Sequence, residues 1–192
     1  MRNPKDCILY SGGAAGTESH FGLLAERYGL EEVNFSFEGH QGARARGLRM
    51  LTGEELALKE VSLTYVSKSM SRQSTHALLF RQVLQCICWQ VSSGQEIFVV
   101  GTILPDNTVK GGTGWGAEFA KICNKPLWVF DQEKNAWFRW DKELWTPDAE
   151  PVIGARHFTA TGTRFLDERG KGAIEALFAR SFERGFARLW GI

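Results

Sequence analysis

Proline is scarce in this chain, with five among 192 residues, and methionine and tyrosine are scarcer still, with three each. So little proline, with no low-complexity tract, excludes a polyproline or linker-like chain. Charge of one sign is lacking too: 23 Lys and Arg face 22 Asp and Glu, leaving +1. No global field gathers nucleic acid or an acidic membrane, so neither is expected as a partner. No segment approaches the roughly 18 to 20 apolar residues that span a bilayer. The start, MRNPKDCILYSGG, holds only the short apolar run CILY, which is no signal peptide. Four cysteines (Cys7, Cys86, Cys88, Cys123) show neither disulfide-scaffold nor C-x-x-C spacing. They read as buried reduced thiols in a cytoplasmic protein. The four histidines (His20, His40, His76, His157) form no H-E-x-x-H, so no zinc site is expected. G-x-S-x-G, G-x-G-x-x-G and G-K-[ST] are absent as well, which removes the hydrolase elbow, the dinucleotide fingerprint and the P-loop.

What is there is an ordinary globular composition, 43% hydrophobic and 23% charged, of a length that suits one domain over 1–192. Glycine is the excess: 21 of 192 is about 11%, against a usual share of about 7%. It is clustered. Residues 7–10 (CILY) read as a strand that ends in Ser11-Gly12-Gly13, and a helix follows to Tyr28, stopped by Gly29. Residues 33–37 alternate as a second strand, and EGHQGARARG reads as an exposed loop. Thr52 with Glu55 makes a capping box for a helix over 53–66. A helix over about 75–93 carries Leu78, Leu79, Val83, Ile87 and Val91 on one side. Residues 96–100 (EIFVV) have the continuous apolar character of a central strand. KGGTGWGAEFAKICNK is a glycine turn opening a helix. Strands at 127–130 and 157–160, a hairpin arm at 137–140, and a helix over 168–186 with Ile174, Leu177, Phe178, Phe182 and Phe186 inward complete the chain. Strands alternating with helices predict an α/β three-layer Rossmann-like domain, its sheet mostly parallel with a short antiparallel edge strand.

In such a sheet, ligands bind outside the carboxyl ends of the strands. The first turn, Ser11-Gly12-Gly13-Ala14-Ala15-Gly16-Thr17-Glu18-Ser19, offers free N–H groups at the positive end of a helix, an anion site. Taken alone it is better read as a tight turn that needs glycine only for its dihedrals. The second turn, Gly111-Gly112-Thr113-Gly114-Trp115-Gly116-Ala117-Glu118, also opens a helix after a buried strand. Two such turns on one edge would converge on one crevice, and a phosphorylated ligand is the natural occupant. Ligand-binding candidates are Ser11, Gly12, Gly13, Gly16, Thr17, Thr102, Gly111, Gly112, Thr113, Gly114 and Arg164. Glu118 would place a carboxylate beside the ligand.

These turns together resemble the SLOG superfamily, which groups the lonely-guy phosphoribohydrolases with DNA-processing protein A. The lonely-guy pattern G-G-x-G-T-x-x-E is similar to Gly111–Glu118, with Trp115 in place of the Thr. Those enzymes cleave a base from a nucleoside monophosphate with that Glu and an Arg on the helix before the preceding strand. The resemblance thus implies Glu118 and Arg81 as catalytic residues, in a Leu79-Phe80-Arg81-Gln82 context that replaces that family's H-E-R-K. The first turn is similar to that of DNA-processing protein A, but Ala15 stands where that family carries a basic residue, so DNA binding is disfavoured. Over about residues 6–185 the chain resembles small SLOG proteins described as molybdenum-cofactor carriers or nucleotide-binding relatives. Ser11–Gly16, Gly111–Gly114, VFDQE at 129–133 with Trp137, and Gly162-Thr163-Arg164 carry that resemblance. It implies a nucleotide or the molybdenum cofactor as ligand.

Other residues are weighed more evenly. Arg72 reads as a phosphate clamp or, by a slight margin, a surface ion pair, Asp131 as a ribose ligand or a turn former, and His20 as a ligand contact or, more often, a half-exposed helix residue. Trp137, Phe138, Trp140 and Trp145, with the tail residues Arg180, Arg184, Arg188, Leu189 and Trp190, suggest a homo-oligomer. Three functions follow. A nucleotide or cofactor binder acting as sensor or carrier is favoured over a nucleotide N-glycosidic hydrolase. An oligomeric interaction module with a vestigial site stands third.

Overall fold

The computed structural model describes residues 3–73 and 77–183. The expected stripe residue Phe186, the tail residues Arg184, Arg188, Leu189 and Trp190, and His76 lie outside them. One eight-stranded sheet in the order β3-β2-β1-β8-β4-β5-β6-β7 organises the chain. The strands are β1 (Ile8–Ser11), β2 (Glu31–Ser36), β3 (Leu48–Met50), β4 (Glu96–Gly101), β5 (Leu127–Asp131), β6 (Ala136–Asp141), β7 (Leu144–Pro147) and β8 (His157–Gly162). The pairs from β3 across to β5 are parallel, and β6 and β7 are antiparallel at one edge. The helices are α1 (Thr17–Tyr28), α2 (Gly53–Ala57), α3 (Glu60–Ser69), α4 (Leu78–Ser93), α5 (Thr113–Ile122) and α6 (Glu168–Phe182). The predicted three-layer α/β architecture is the one observed, and the antiparallel edge holds two strands.

Alternation along the strands fills both layers. Leu9, Phe98, Val100, Phe158 and Ala160 pack with Phe21 and Leu24 of α1 and with Ile174, Leu177 and Phe178 of α6. On the other face, Ile97, Val99, Leu127 and Val129 meet Leu84, Ile87 and Val91 of α4 and Trp115, Phe119 and Ala120 of α5. Every residue of β4 is buried, as its apolar run requires. Each fully buried aliphatic or aromatic side chain here contributes roughly 1.5–3 kcal/mol. Gly29 closes α1 in the left-handed region (φ 78°), its N–H returning to the carbonyls of Ala25 and Glu26.

Three expectations need correction. The predicted helix over 53–66 is two helices, α2 and α3, broken at Leu58 and Lys59. The break lets Leu56 join Phe35, Phe37 and Leu51, while Leu63 and Val66 face α4 and α5. One straight helix could not serve both clusters. The helix predicted over 75–93 buries Leu84, Ile87, Cys88 and Val91, whereas Leu78 and Leu79, 69% and 56% exposed, stand outside. Strand β3 was not foreseen, because all of its residues are exposed and it pairs with β2 alone. The capping box at Thr52 and Glu55 forms as expected, with both reciprocal bonds present.

Candidate functional site

Because β1, β8, β4 and β5 run parallel, Ser11, Gly162, Gly101 and Asp131 all end at one edge of the sheet. β8 lies between β1 and β4, so its last residues separate the two glycine turns. Thr17, which opens α1, presses on Gly162, where a Cβ would stand 2.8 Å from the Thr17 side chain. Its N–H and its hydroxyl both donate to the Thr163 carbonyl, at 3.1 and 2.9 Å. From the opposite face, Gly116 in the first turn of α5 lies against Thr161, where a Cβ would come 3.4 Å from the Thr161 methyl. The two helix N-termini therefore meet across Thr161 and Gly162.

The first turn is filled from within. Glu18, 5% exposed, accepts from the Gly12 and Ala14 amides at 3.2 and 2.9 Å and from the Thr161 hydroxyl at 2.7 Å. The free N–H groups expected here are thus partly occupied, because an acid in the first helical turn reaches them before a ligand can. Among the described residues, the amides of Gly13, Ala15 and Gly16 carry no hydrogen bond. Burial raises the Glu18 carboxyl above its ordinary value, against the lowering by its three donors. The Glu18 charge in turn adds to the burial that pushes the Cys86 thiol up to about 12. Around the end of β1, the Ser11 hydroxyl, Asn34 Oδ1 and Gln90 Oε1 are buried without a partner. The segment read as an exposed loop folds over this turn, with Ala43 and Arg44 both donating to the Gly13 carbonyl at 2.8 and 3.1 Å. Arg44 is anchored by the buried Glu32 at 2.7 Å.

The second turn is open. Gly111 is exposed and left-handed (φ 71°), and among the described residues the amides of Gly112 and Thr113 carry no hydrogen bond. The first turn of α5 holds no acid. Gly114 is packed so closely that a Cβ would overlap the Val109 carbonyl, with Arg72 Nη1 3.0 Å away. Arg72 donates to the Val109 carbonyl at 3.2 Å and to the Thr108 hydroxyl at 2.7 Å. It is the guanidinium beside this turn, a position at which the sequence weighs a phosphate clamp against a neutral surface ion pair and favours the latter slightly.

The two expected catalytic residues are engaged elsewhere. Glu118 pairs with Lys121 at 3.2 Å. Lys121 also lies 3.9 Å from the Trp140 ring centroid, which turns the pair toward the β6–β7 hairpin. Arg81 sits on α4 as expected, and both arms of its guanidinium go to Glu60 of α3. Thr102 reaches Glu133 at 3.3 Å, and Arg164 is exposed, its guanidinium over the Phe165 ring. Asp131 is a turn former, accepting from the Ile103, Glu133 and Lys134 amides. His20 faces Glu175 of α6 at 3.5 Å, and burial lowers its pKa. Trp137 is buried and Trp140 packs on Trp145 within the hairpin. A cleft of about 490 Å³ between α6 and β5–β7, with Trp137, Arg169 and Arg180 among its walls, contains none of the residues singled out as ligand-binding. Among the described residues no helix is long and apolar enough to cross a membrane, and no cluster of His, Cys, Asp and Glu could hold a metal.

Glu18, Asn34, Gln90 and Thr161 border the candidate site without a sequence motif that singles them out. Glu18 did carry a signal, since it follows its turn as Glu118 follows the second. Asn34 and Gln90 are polar residues inside otherwise buried elements, a weaker sign.

No family model matches the chain, and no curated protein matches it. Its fold is similar to a crystal structure from Syntrophus aciditrophicus SB named "putative molybdenum carrier protein", with TM-score 0.51 and 10% identity over 90% of each chain.

Proposed function

We propose that the carboxyl edge of β1, β8 and β4 binds a nucleotide or a related phosphorylated ligand, such as the molybdenum cofactor, as a sensor or carrier without turnover. The observation that carries this reading is the meeting of two glycine-opened helix N-termini across Thr161 and Gly162. The phosphate belongs at the second turn. Unbonded amides of Gly112 and Thr113, a positive helix end and the nearby Arg72 guanidinium suit an anion there. The shared fold with a protein named as a molybdenum carrier is compatible with this reading.

N-glycosidic cleavage is the weaker alternative, because it needs an acid facing the ligand. Glu118 is held by Lys121, and Arg81 by Glu60. Self-association belongs to the proposal through the exposed Val61 and Tyr65, four residues apart on α3.

A thermal-shift screen of the full chain against nucleoside mono-, di- and triphosphates, pyrophosphate and molybdopterin tests the reading. At 100 times its dissociation constant a ligand adds about 2.7 kcal/mol, a rise in Tm of roughly 5–11 °C for a chain of this size. Arg72→Met should weaken binding of every phosphorylated ligand at least tenfold, with no base released by either protein. A flat response to all of these ligands overturns the proposal.

A further inference from the structure

The two glycine turns differ in what they ask of a ligand. Ser11, Asn34 and Gln90 are 0%, 0% and 2% exposed, and each presents a buried oxygen with no partner. Such atoms call for an occupant, since a buried acceptor without a donor is costly. The orientation of Asn34 is settled by its other half. Nδ2 donates to Glu32 Oε1 at 2.7 Å and to the Arg46 carbonyl at 2.8 Å, and turning the amide over would set its oxygen against two acceptors. Oδ1 must therefore be the atom beside Gly13, 3.3 Å from where a Cβ on that residue would stand. Gln90 approaches from α4 with its Nε2 2.5 Å from the corresponding position on Gly12, and Oε1 is the end of that amide left without a partner. Ser11 and Asn34 are register partners of β1 and β2. Three unpartnered oxygens thus belong to Ser11 and to two residues that border Gly12 and Gly13, which carry no side chain of their own.

Glu18 adds a carboxylate to the same turn and already holds the Gly12 and Ala14 amides. A phosphate placed here would meet oxygen lone pairs and like charge, whereas an N–H or NH2 group would meet the partners it needs. We propose that the first turn receives the hydrogen-bond-donating edge of a nucleobase, an adjacent N–H and NH2 pair of the kind guanine carries, while the second turn receives the phosphate. This rests on the reading above that a phosphorylated nucleotide-like ligand occupies the crevice.

Calorimetric titration of the full chain with GMP, IMP, AMP and pyrophosphate tests the assignment. IMP keeps the ring N–H and lacks the 2-amino group, so it leaves a buried acceptor unmet. GMP should bind at least tenfold more tightly than IMP or AMP, and pyrophosphate should compete with it. Gln90→Met should erase the preference for GMP over IMP and leave pyrophosphate affinity unchanged. The ligand-free variant should also melt about 2–4 °C higher, because an orphaned oxygen has gone. Ser11→Ala, a smaller change, gives the same reading if Gln90→Met does not fold. Equal affinity for GMP and IMP, with pyrophosphate still bound, overturns the donor-edge assignment and spares the phosphate site. Loss of binding by all four, pyrophosphate included, overturns both.

Discussion

The two glycine turns look alike in sequence and are built to opposite ends. Ser11–Ser19 is roofed by the 38–47 loop and supplied with an internal anion by Glu18, whose carboxylate ties Gly12, Ala14 and Thr161 together. Gly111–Glu118 is open to solvent at Gly111, and its acid looks away toward Lys121. The same pattern of glycines followed by a glutamate gives a cross-linked turn in one place and a solvent-open helix end in the other. A glycine-rich helix N-terminus therefore reports where an anion could sit and says nothing about whether the protein has filled the place itself.

Substitutions can break this comparison, and the largest effect is expected at Gly16. It is left-handed (φ 86°), and a Cβ would lie 2.5 Å from the Arg164 carbonyl oxygen, a backbone atom that cannot step aside. Gly16→Ala should cost about 3 kcal/mol or more, read as a fall in denaturation midpoint. Gly112→Ala, at φ −62° with only the Phe80 ring 3.9 Å away, should stay within about 0.5 kcal/mol of the parent.

Next come the two acids. Glu18→Ala leaves the Gly12 and Ala14 amides and the Thr161 hydroxyl unmet in a buried site, at a cost of about 2–3 kcal/mol. Glu118→Ala removes one partner of a mostly buried pair, but Lys121 keeps the Asn107 carbonyl and the Trp140 ring, so the loss should be about 1 kcal/mol and smaller than that at Glu18. Equal losses in chemical denaturation would erase the distinction between the turns.

The smallest effect is a slope. Burial raises the Glu18 carboxyl above its ordinary value of 4.5. Between that value and the raised one the folded chain holds a proton that the unfolded chain has released. Stability contributed by this group is therefore full below 4.5 and declines as pH rises toward the raised value. Glu18→Gln keeps an acceptor for the two amides and cannot titrate. Wild type should lose stability relative to this variant as pH climbs through that window, measured by denaturant midpoints at successive pH values. A constant difference would mean that Glu18 titrates alike in both states.

Much of the scaffold was legible because its signals are local. Apolar runs marked β1, β4 and β5, Gly29 marked the end of α1, and Thr52 with Glu55 marked the start of α2. Elements were missed where burial did not write itself into the pattern. Strand β3 is exposed throughout, and the break between α2 and α3 serves two clusters brought together only by the fold. At the site, the pairing of Glu118 with Lys121 lies three residues away and was readable. The pairing of Arg81 with Glu60 depends on α3 packing against α4, and no local spacing announces it.

The placement of β8 has a consequence for how the chain is made. The strand that bridges β1 and β4 is the last of the eight to leave the ribosome. Until residues 157–162 emerge, β1 and β4 each present an unpaired edge flanked by apolar side chains such as Leu9, Ile97 and Val99. Nascent chains halted before that point hold two half-sheets with open hydrogen-bonding edges, the surfaces by which β proteins self-associate. Because the same strand ends in Thr161 and Gly162, the edge proposed to hold the ligand and the closed sheet arise in a single late event. A chain that has not finished its sheet cannot yet hold a ligand there.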